Sequence, residues 1–314
     1  MRYVFLGSPP FATPILAHLL TAGSRPELVV TPPARPRGRG RRTGSSAVAE
    51  LAQVAGVPVL QPESVRDERF LEELSSMEAD VFLVASYGEL LRRSFLDLPR
   101  EACLNVHPSL LPRHRGATPV QSAILAGDRV TGVTIQKVVL ELDAGDVLCA
   151  AETEVRAGET AGELFDRLVQ LSGPLAARAL DRIASGEAVY TPQDPERVTH
   201  CKKLAKEDGR IDWARPAQEI DRHVRGMNPW PLAFTTLPGG DTLGVHRALT
   251  LPVPDPGAEP GTLLAAQDRL VVACAGSAVE LLMVQPANRR AMAAADFLRG
   301  ARLAVGAKLG GVPA

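Results

Sequence analysis

Cysteine is scarce in this chain: Cys103, Cys149, Cys201 and Cys274 are the only four in 314 residues, and no two form a C-x-x-C pair. That spacing excludes a disulfide framework and a structural zinc knot, and it suits a reducing, cytoplasmic compartment. Aromatic side chains are also few, 4% against 45% hydrophobic residues overall, so the core must be built from leucine, valine and alanine. No apolar run approaches the ~20 residues that cross a bilayer. The opening residues are too short a run for a secretory signal. Neither a membrane partner nor export is therefore expected. Charge excess of either sign is missing too: 35 Lys and Arg face 36 Asp and Glu, a net charge of −1. Any affinity for nucleic acid must come from local clusters, not from the total. Nucleotide-binding glycine motifs are absent as well. The first apolar run is followed by Gly7-Ser8-Pro9-Pro10, which matches neither G-x-G-x-x-G nor G-x-x-x-x-G-K-[ST] and reads as a structural turn.

The sequence does contain an alternation of short apolar runs and helical patterns. Residues 2–6, 28–30, 57–60, 80–85 and 102–107 read as strands, and 11–20, 47–55 and 68–75 carry helical spacing. This order implies a Rossmann-like α/β fold, a doubly wound, mostly parallel sheet with helices on both faces. Residues 132–139 and 146–150 read as further strands, and 160–183 as a long helix. Such sheets bind ligands at the carboxyl ends of their strands. Residues 190–202, polar and holding Pro192 and Pro195, read as a linker. Beyond it, 244–247, 261–264, 269–274 and 278–284 are short strands separated by Pro, Gly and Asp, the pattern of a small OB-like β-barrel. The expected organisation is a first domain over 1–189, the linker, and a barrel domain over 203–314. Trp213 and Trp230 are expected to anchor the second core, because each buries a large area. Nothing in the sequence calls for a dimer, and a monomer is expected.

Chemistry concentrates at residues 103–116 (C-L-N-V-H-P-S-L-L-P-R-H-R-G) and 142–145 (L-D-A-G). Asn105 and His107 are two apart, so on a strand they share a face. Pro108 then stops the strand, having no N–H for the ladder. Asp143, 36 residues after His107, can reach the same point from a later loop. An amide donor, a titratable ring and a carboxylate suit a reaction that forms an oxyanion and moves a proton. The plain alternative is a hydrogen-bonded strand end. Ser109 sits in no G-x-S-x-G elbow and does not read as a nucleophile. The other histidines, His18, His114, His200, His223 and His246, lack metal-ligand spacing, and no metal is expected. Residues 31–46 form the second notable feature: Arg35, Arg37, Arg39, Arg41 and Arg42 among Gly and Pro, with no acid. Such a stretch buries no apolar face and reads as an exposed loop. Its arginines suit phosphate, although a solvated surface is the plain alternative.

The run N-V-H-P-S-L-L-P-R-x-R-G-A-x-P, with L-D-A-G-D downstream, resembles the formyltransferases that use 10-formyltetrahydrofolate. The basic loop is similar to the R-P-x-G-R-G-[KR] loop of the methionyl-tRNA formyltransferases, which enters the acceptor stem. The stretches K-L-x-K-E-x-x-R-I-D-W from Lys203 and N-P-W-P from Asn228 resemble their C-terminal domain. The resemblance covers both domains. It implies that Asn105, His107 and Asp143 are catalytic, and that Ser109, Leu110, Leu111 and Pro112, with Tyr87 and Gly88, border the folate, largely through backbone groups. It further implies that Arg35, Arg37, Arg39, Arg41 and Arg42, with Lys203 and Lys206, contact initiator methionyl-tRNA, with Arg289 and Arg290 as further candidates. The donor would be 10-formyltetrahydrofolate, without metal or nucleoside triphosphate. In this scheme Asn105 and His107 donate to the oxyanion, while Asp143 orients His107 and favours its charged form. Two positions depart from the pattern: Ala34, where the family commonly has Asp, and Arg92 after Leu91, where it often has Pro. A sugar-nucleotide N-formyltransferase, a glycinamide formyltransferase and a non-catalytic tRNA-binding scaffold are the rival readings. The arginine loop argues against the first, the second domain against the next, and the intact trio against the last.

Overall fold

The computed structural model describes residues 1–33, 36–37, 42–43, 46–251 and 257–310. The chain packs as two units. One takes Met1–Pro119, Val130–Glu154 and Phe165–Cys201; the other takes Val120–Arg129, Val155–Leu164 and the chain from Lys202 on. The first unit is therefore not one contiguous stretch.

In the first unit the strands are β1 (Tyr3–Gly7), β2 (Leu28–Val30), β3 (Val59–Leu60), β4 (Val81–Ala85), β5 (Ala102–His107), β6 (Val130–Lys137) and β7 (Val147–Glu154). They form one sheet in the order β7-β6-β5-β4-β1-β2-β3. The five strands from β5 to β3 run parallel, β6 pairs antiparallel with β5, and β7 pairs antiparallel with β6. β1 and β4 are apolar and buried at every position, as a strand covered on both faces must be. Between the parallel strands lie α1 (Ala12–Thr21), α2 (Ala47–Val54) and α3 (Glu68–Ser76). Ser46 Oγ accepts from Ala49 N at 3.1 Å to start α2, and Asp67 Oδ1 accepts from Phe70 N at 3.0 Å to start α3. Each such cap contributes about 1 kcal/mol. Gly7 makes the turn from β1 to α1 possible, because a Cβ there would lie 2.3 Å from Ala12 Cβ. The core on one side of the sheet gathers Leu6, Val30, Leu74, Phe82, Val84 and Phe95, with the Phe82 and Phe95 rings tilted at 5.2 Å.

Several strands differ from their expected spans. β6 starts and ends two residues earlier than 132–139, and β7 runs on past 150 to Glu154. The outer half of β7 alternates, with Ala150, Glu152 and Glu154 exposed, so its charges mask the strand in sequence. The stretch expected as a linker is also structured. Thr191 bridges Val147, and His200–Cys201 pairs in parallel with Arg115–Gly116. The long helix appears where expected, as Ala161–Ala184, and a short helix, Pro119–Ala126, precedes β6. We label these α5 and α4.

In the second unit β8 (Ala233–Thr236), β9 (Thr242–Leu251), β10 (Leu263–Ala266), β11 (Leu270–Cys274) and β12 (Ser277–Pro286) pair antiparallel in the order β8-β9-β12-β11-β10. Residues 306–310 carry the ring onward. Gly310 N donates to Thr236 O on one side, and Leu263 N donates to Ala307 O on the other, both at 2.8 Å. The expected barrel thus closes through an irregular segment and not through a ladder. Helix α6 (Ala217–Gly226) turns Ala217, Ile220 and Val224 inward. Trp213 is an anchor of this core, and its indole N–H donates to Thr235 Oγ1 at 3.0 Å. Trp230 is not an anchor: it is 53% exposed. It stands between Pro229 and Pro231, in the turn before β8, where no ladder can draw it inward.

Candidate active site

Asn105 and His107 lie at the carboxyl end of β5, on the face that period-two spacing predicts. Across the antiparallel pair with β6, Asn105 faces Gln136 and His107 faces Thr134. Asp143 arrives from the loop between β6 and β7 with a left-handed φ of 52°. The three side chains come together. Asp143 Oδ1 is 3.5 Å from Asn105 Nδ2, at the limit of a hydrogen bond, and 3.7 Å from His107 Nδ1.

Stronger partners hold Asp143 itself. Gln136 Nε2 donates to Oδ1 at 3.0 Å, and Gly116 N donates to Oδ2 at 2.9 Å. His107 is held from its other side. Its Nε2 lies 3.0 Å from the carbonyl of His114, and a carbonyl only accepts, so Nε2 carries the hydrogen. Burial pushes the His107 pKa below its ordinary 6.5, with Asp143 opposing that shift. That direction favours the neutral ring near pH 7, the form in which Nδ1, facing Asp143, presents a lone pair. Asp143 favours the charged form of the ring, as expected, against the larger effect of burial, and the His114 carbonyl holds the ring from its other side.

Beyond His107 the chain makes a tight turn latched to β6. Ser109 Oγ donates to Arg113 O at 2.6 Å, while Thr134 Oγ1 donates to Ser109 O at 2.7 Å and accepts from Leu111 N at 3.1 Å. Ser109 is fully buried and its hydroxyl is committed to the turn. Leu110 and Leu111 are half-buried, and Pro112 is buried. Leu110 packs over Gly132, where a Cβ would sit 2.6 Å from Leu110 Cδ2. Tyr87 leaves β4 with its ring in the core, so only its backbone and that of Gly88 are available at the strand end. Burial raises the pKa of the Tyr87 hydroxyl.

Sequence reasoning missed Gln136, Arg115 and Gln193. Gln136 had a usable signal: with Thr131 and Thr134 it is a polar residue alternating with apolar ones along β6, and all three are buried. Gln193 had none, lying in the stretch read as a linker. Its Nε2 is 2.8 Å from Asp143 O, 2.7 Å from Gly145 O and 3.1 Å from Gln136 Oε1. Its Oε1 accepts from Arg115 Nε at 3.0 Å and Nη2 at 2.9 Å, and Arg115 Nη1 pairs with Glu141 at 3.0 Å.

Of the expected phosphate contacts, Arg35, Arg39 and Arg41 lie outside the described residues. Pro36–Arg37 and Arg42–Thr43 pair as two-residue antiparallel strands, and the side chains of Arg37 and Arg42 lie outside the description. Lys203 and Lys206, in the second unit, are exposed, as are Arg289 and Arg290.

A doubly wound sheet that brings an amide, an imidazole and an anchored carboxylate together at the carboxyl end of a strand sets them where such sheets bind ligands, and the three suit a group transferase. The formyl transferase family matches residues 1–180, and the formyl transferase C-terminal domain matches residues 203–302. The chain belongs to the formyl transferase family. A methionyl-tRNA formyltransferase from Parvibaculum lavamentivorans is 41% identical over 307 residues, covering 98% of this chain and 99% of that one. Its counterpart from Gluconobacter oxydans is 43% identical over 310 residues, covering 98% and 100%. The N-formyltransferase from Helicobacter canadensis, solved with folinic acid and dTDP-3-aminofucose, shares the fold with a TM-score of 0.69 over 91% of this chain and 99% of that one, at 14% identity.

Proposed function

We propose that this enzyme transfers the formyl group of 10-formyltetrahydrofolate to the α-amino group of methionine on initiator methionyl-tRNA, in the cytoplasm, for initiation of protein synthesis. The convergence of Asn105, His107 and Asp143 at the end of β5 carries the chemical part of this reading. Whole-chain similarity to two methionyl-tRNA formyltransferases supports the substrate.

Each group has a task in the transfer. Asn105 Nδ2 donates to the oxyanion that develops as the amine adds to the formyl carbon. His107 Nδ1, holding a lone pair, takes the proton that the amine loses. The imidazolium so formed is stabilised by Asp143 3.7 Å away, and it returns the proton to the departing folate nitrogen as the tetrahedral adduct collapses. Asn105 and His107 thus divide the work of donor and base. The backbone of Ser109–Pro112 and of Tyr87–Gly88 borders the pteridine. Arg35, Arg37, Arg39, Arg41 and Arg42, with Lys203 and Lys206, meet the tRNA backbone.

The deciding experiment gives the purified chain 10-formyltetrahydrofolate and either charged initiator tRNA or a dTDP-amino sugar, and follows formylation of each on a gel or by mass. Formyl-methionyl-tRNA is the expected product. Formylation of the amino sugar with no product from tRNA would overturn the reading in favour of a sugar-nucleotide enzyme.

A further inference from the structure

The outgoing segment 191–201 grips the backbone that sets both His107 and Asp143. Two residues at the site have left-handed backbone without being glycine: His114 with φ 59° and Asp143 with φ 52°. Such conformations cost about 1–3 kcal/mol each and persist only where the surroundings over-determine them. Here one segment does so for both. Thr199 Oγ1 accepts from His114 N at 2.8 Å, and Arg115 N donates to Thr199 O at 2.9 Å. Cys201 Sγ lies 3.5 Å from the same His114 carbonyl that fixes the His107 ring. Cys201 O lies so near Gly116 that a Cβ there would be 2.2 Å away, and Gly116 N is the donor to Asp143 Oδ2.

Gln193 completes the grip on the Asp143 side. Its orientation follows from chemistry. Arg115 has only donors, so Oε1 must face the guanidinium and Nε2 the carbonyls. Two amide hydrogens then serve the two nearest acceptors, the carbonyls of Asp143 and Gly145, which bracket the turn carrying the carboxylate. Gly145 has no slack, since a Cβ there would meet Lys137 O at 1.9 Å. Arg115, buried against Gln193, passes that anchorage to the turn that holds Gly116 and His114.

We propose that residues 191–201 are a strap that positions the catalytic pair, and that Gln193 is a positioning residue for the carboxylate of Asp143. The inference rests on the formyl-transfer reading and adds to it a residue that acts only through another. Glutamate at this position keeps the size and the Arg115 partner but sets an oxygen against two carbonyl oxygens, so an isosteric change removes the grip.

The test uses the full-length chain in two backgrounds, wild type and Asp143→Asn, each with Gln193 intact or changed by Gln193→Ala or Gln193→Glu. In the wild-type background both Gln193 changes are expected to lower kcat about 10- to 100-fold, the scale of a small misplacement of a reacting group. KM for tRNA and for the folate donor, and Tm, should stay near wild type. In the Asp143→Asn background the same changes should cost about twofold or less, because residues acting as a unit are non-additive. An equal loss in both backgrounds would overturn the proposal, as would a kcat within twofold of wild type for Gln193→Glu. Should Gln193→Ala melt early, Gln193→Glu carries the test, because it retains an acceptor oxygen for Arg115. A wild-type chain that formylates no tRNA sinks the functional reading instead, so the two failures are distinguishable.

Discussion

His107 and Asn105 sit two residues apart on one strand and are prepared for opposite tasks. Asn105 can only offer its amide N–H groups to a developing charge. Removing one such donor typically costs about 2.7–4 kcal/mol of transition-state stabilisation. Asn105→Ala is expected to lower kcat by about 10²–10³-fold with folding intact. Steady-state kinetics beside a melting curve checks this, and near-normal turnover would remove Asn105 from the mechanism. His107 has to be neutral to act as a base. Its folded pKa lies below 6.5 because burial disfavours the imidazolium, with Asp143 and the His114 backbone pulling the other way and His114's own charge adding to the depression. NMR of labelled histidine should show the Nε2–H neutral form still present at pH 6.5, with a midpoint lower than that. A midpoint at or above 6.5 would contradict the base assignment. In Asp143→Asn the midpoint should move lower still. The linkage has a definite sign. A depressed histidine pKa contributes stability above the unfolded value of 6.5, and that contribution is lost as pH falls from there toward the folded pKa.

Asp143 depends on the element that carries it. The turn between β6 and β7 has no regular structure of its own and is set by what it touches: Lys137 below Gly145, Gln136 and Gln193 at its carbonyl and carboxylate oxygens. Gly145→Ala should therefore lower kcat by about 10²-fold through displacement of the carboxylate, the scale of a 1 Å error in a catalytic group. A circular-dichroism spectrum near wild type and a lowered Tm should accompany it, because the atom a Cβ would meet is backbone, and full activity would show that the turn tolerates the shift. This element also marks what could be read in the sequence. Asn105 and His107 were legible because a strand has period two and Pro108 ends it. β1 and β4 were legible as unbroken apolar runs. The extent of β7 was hidden by glutamates on its open side, and α6 by a polar face broader than its stripe of Ala217, Ile220 and Val224. Gln193 meets Gln136 across 57 residues and Asp143 across 50, so no local pattern could carry it. Its neighbours Pro192 and Pro195 suggested a linker, whereas isolated bridges need only single free N–H groups and leave the prolines room.

At the scale of the whole chain, charge is balanced to −1, yet the tRNA presents a dense row of phosphates. A nearly neutral protein can hold such a partner only where charge is concentrated, and the run from Arg35 to Arg42 is the one place with five arginines and no acid. Gly38 and Gly40, which carry no Cβ, flank Arg39 in the sequence. Each duplex phosphate neutralised makes log K fall with log salt by roughly 0.9, so three contacts account for a slope of about 2.7. Replacing Arg39, Arg41 and Arg42 together with Ala should raise KM for charged tRNA and flatten its salt dependence by up to that amount. The KM for the folate donor should hardly move if the donor is held, as proposed, at the β5 end. A formylation series from low to high salt, run on wild type and the triple variant, reads both quantities at once. Parallel salt slopes for the two proteins would take the loop out of tRNA binding. They would leave the exposed Lys203 and Lys206 of the second unit as the cations to test next.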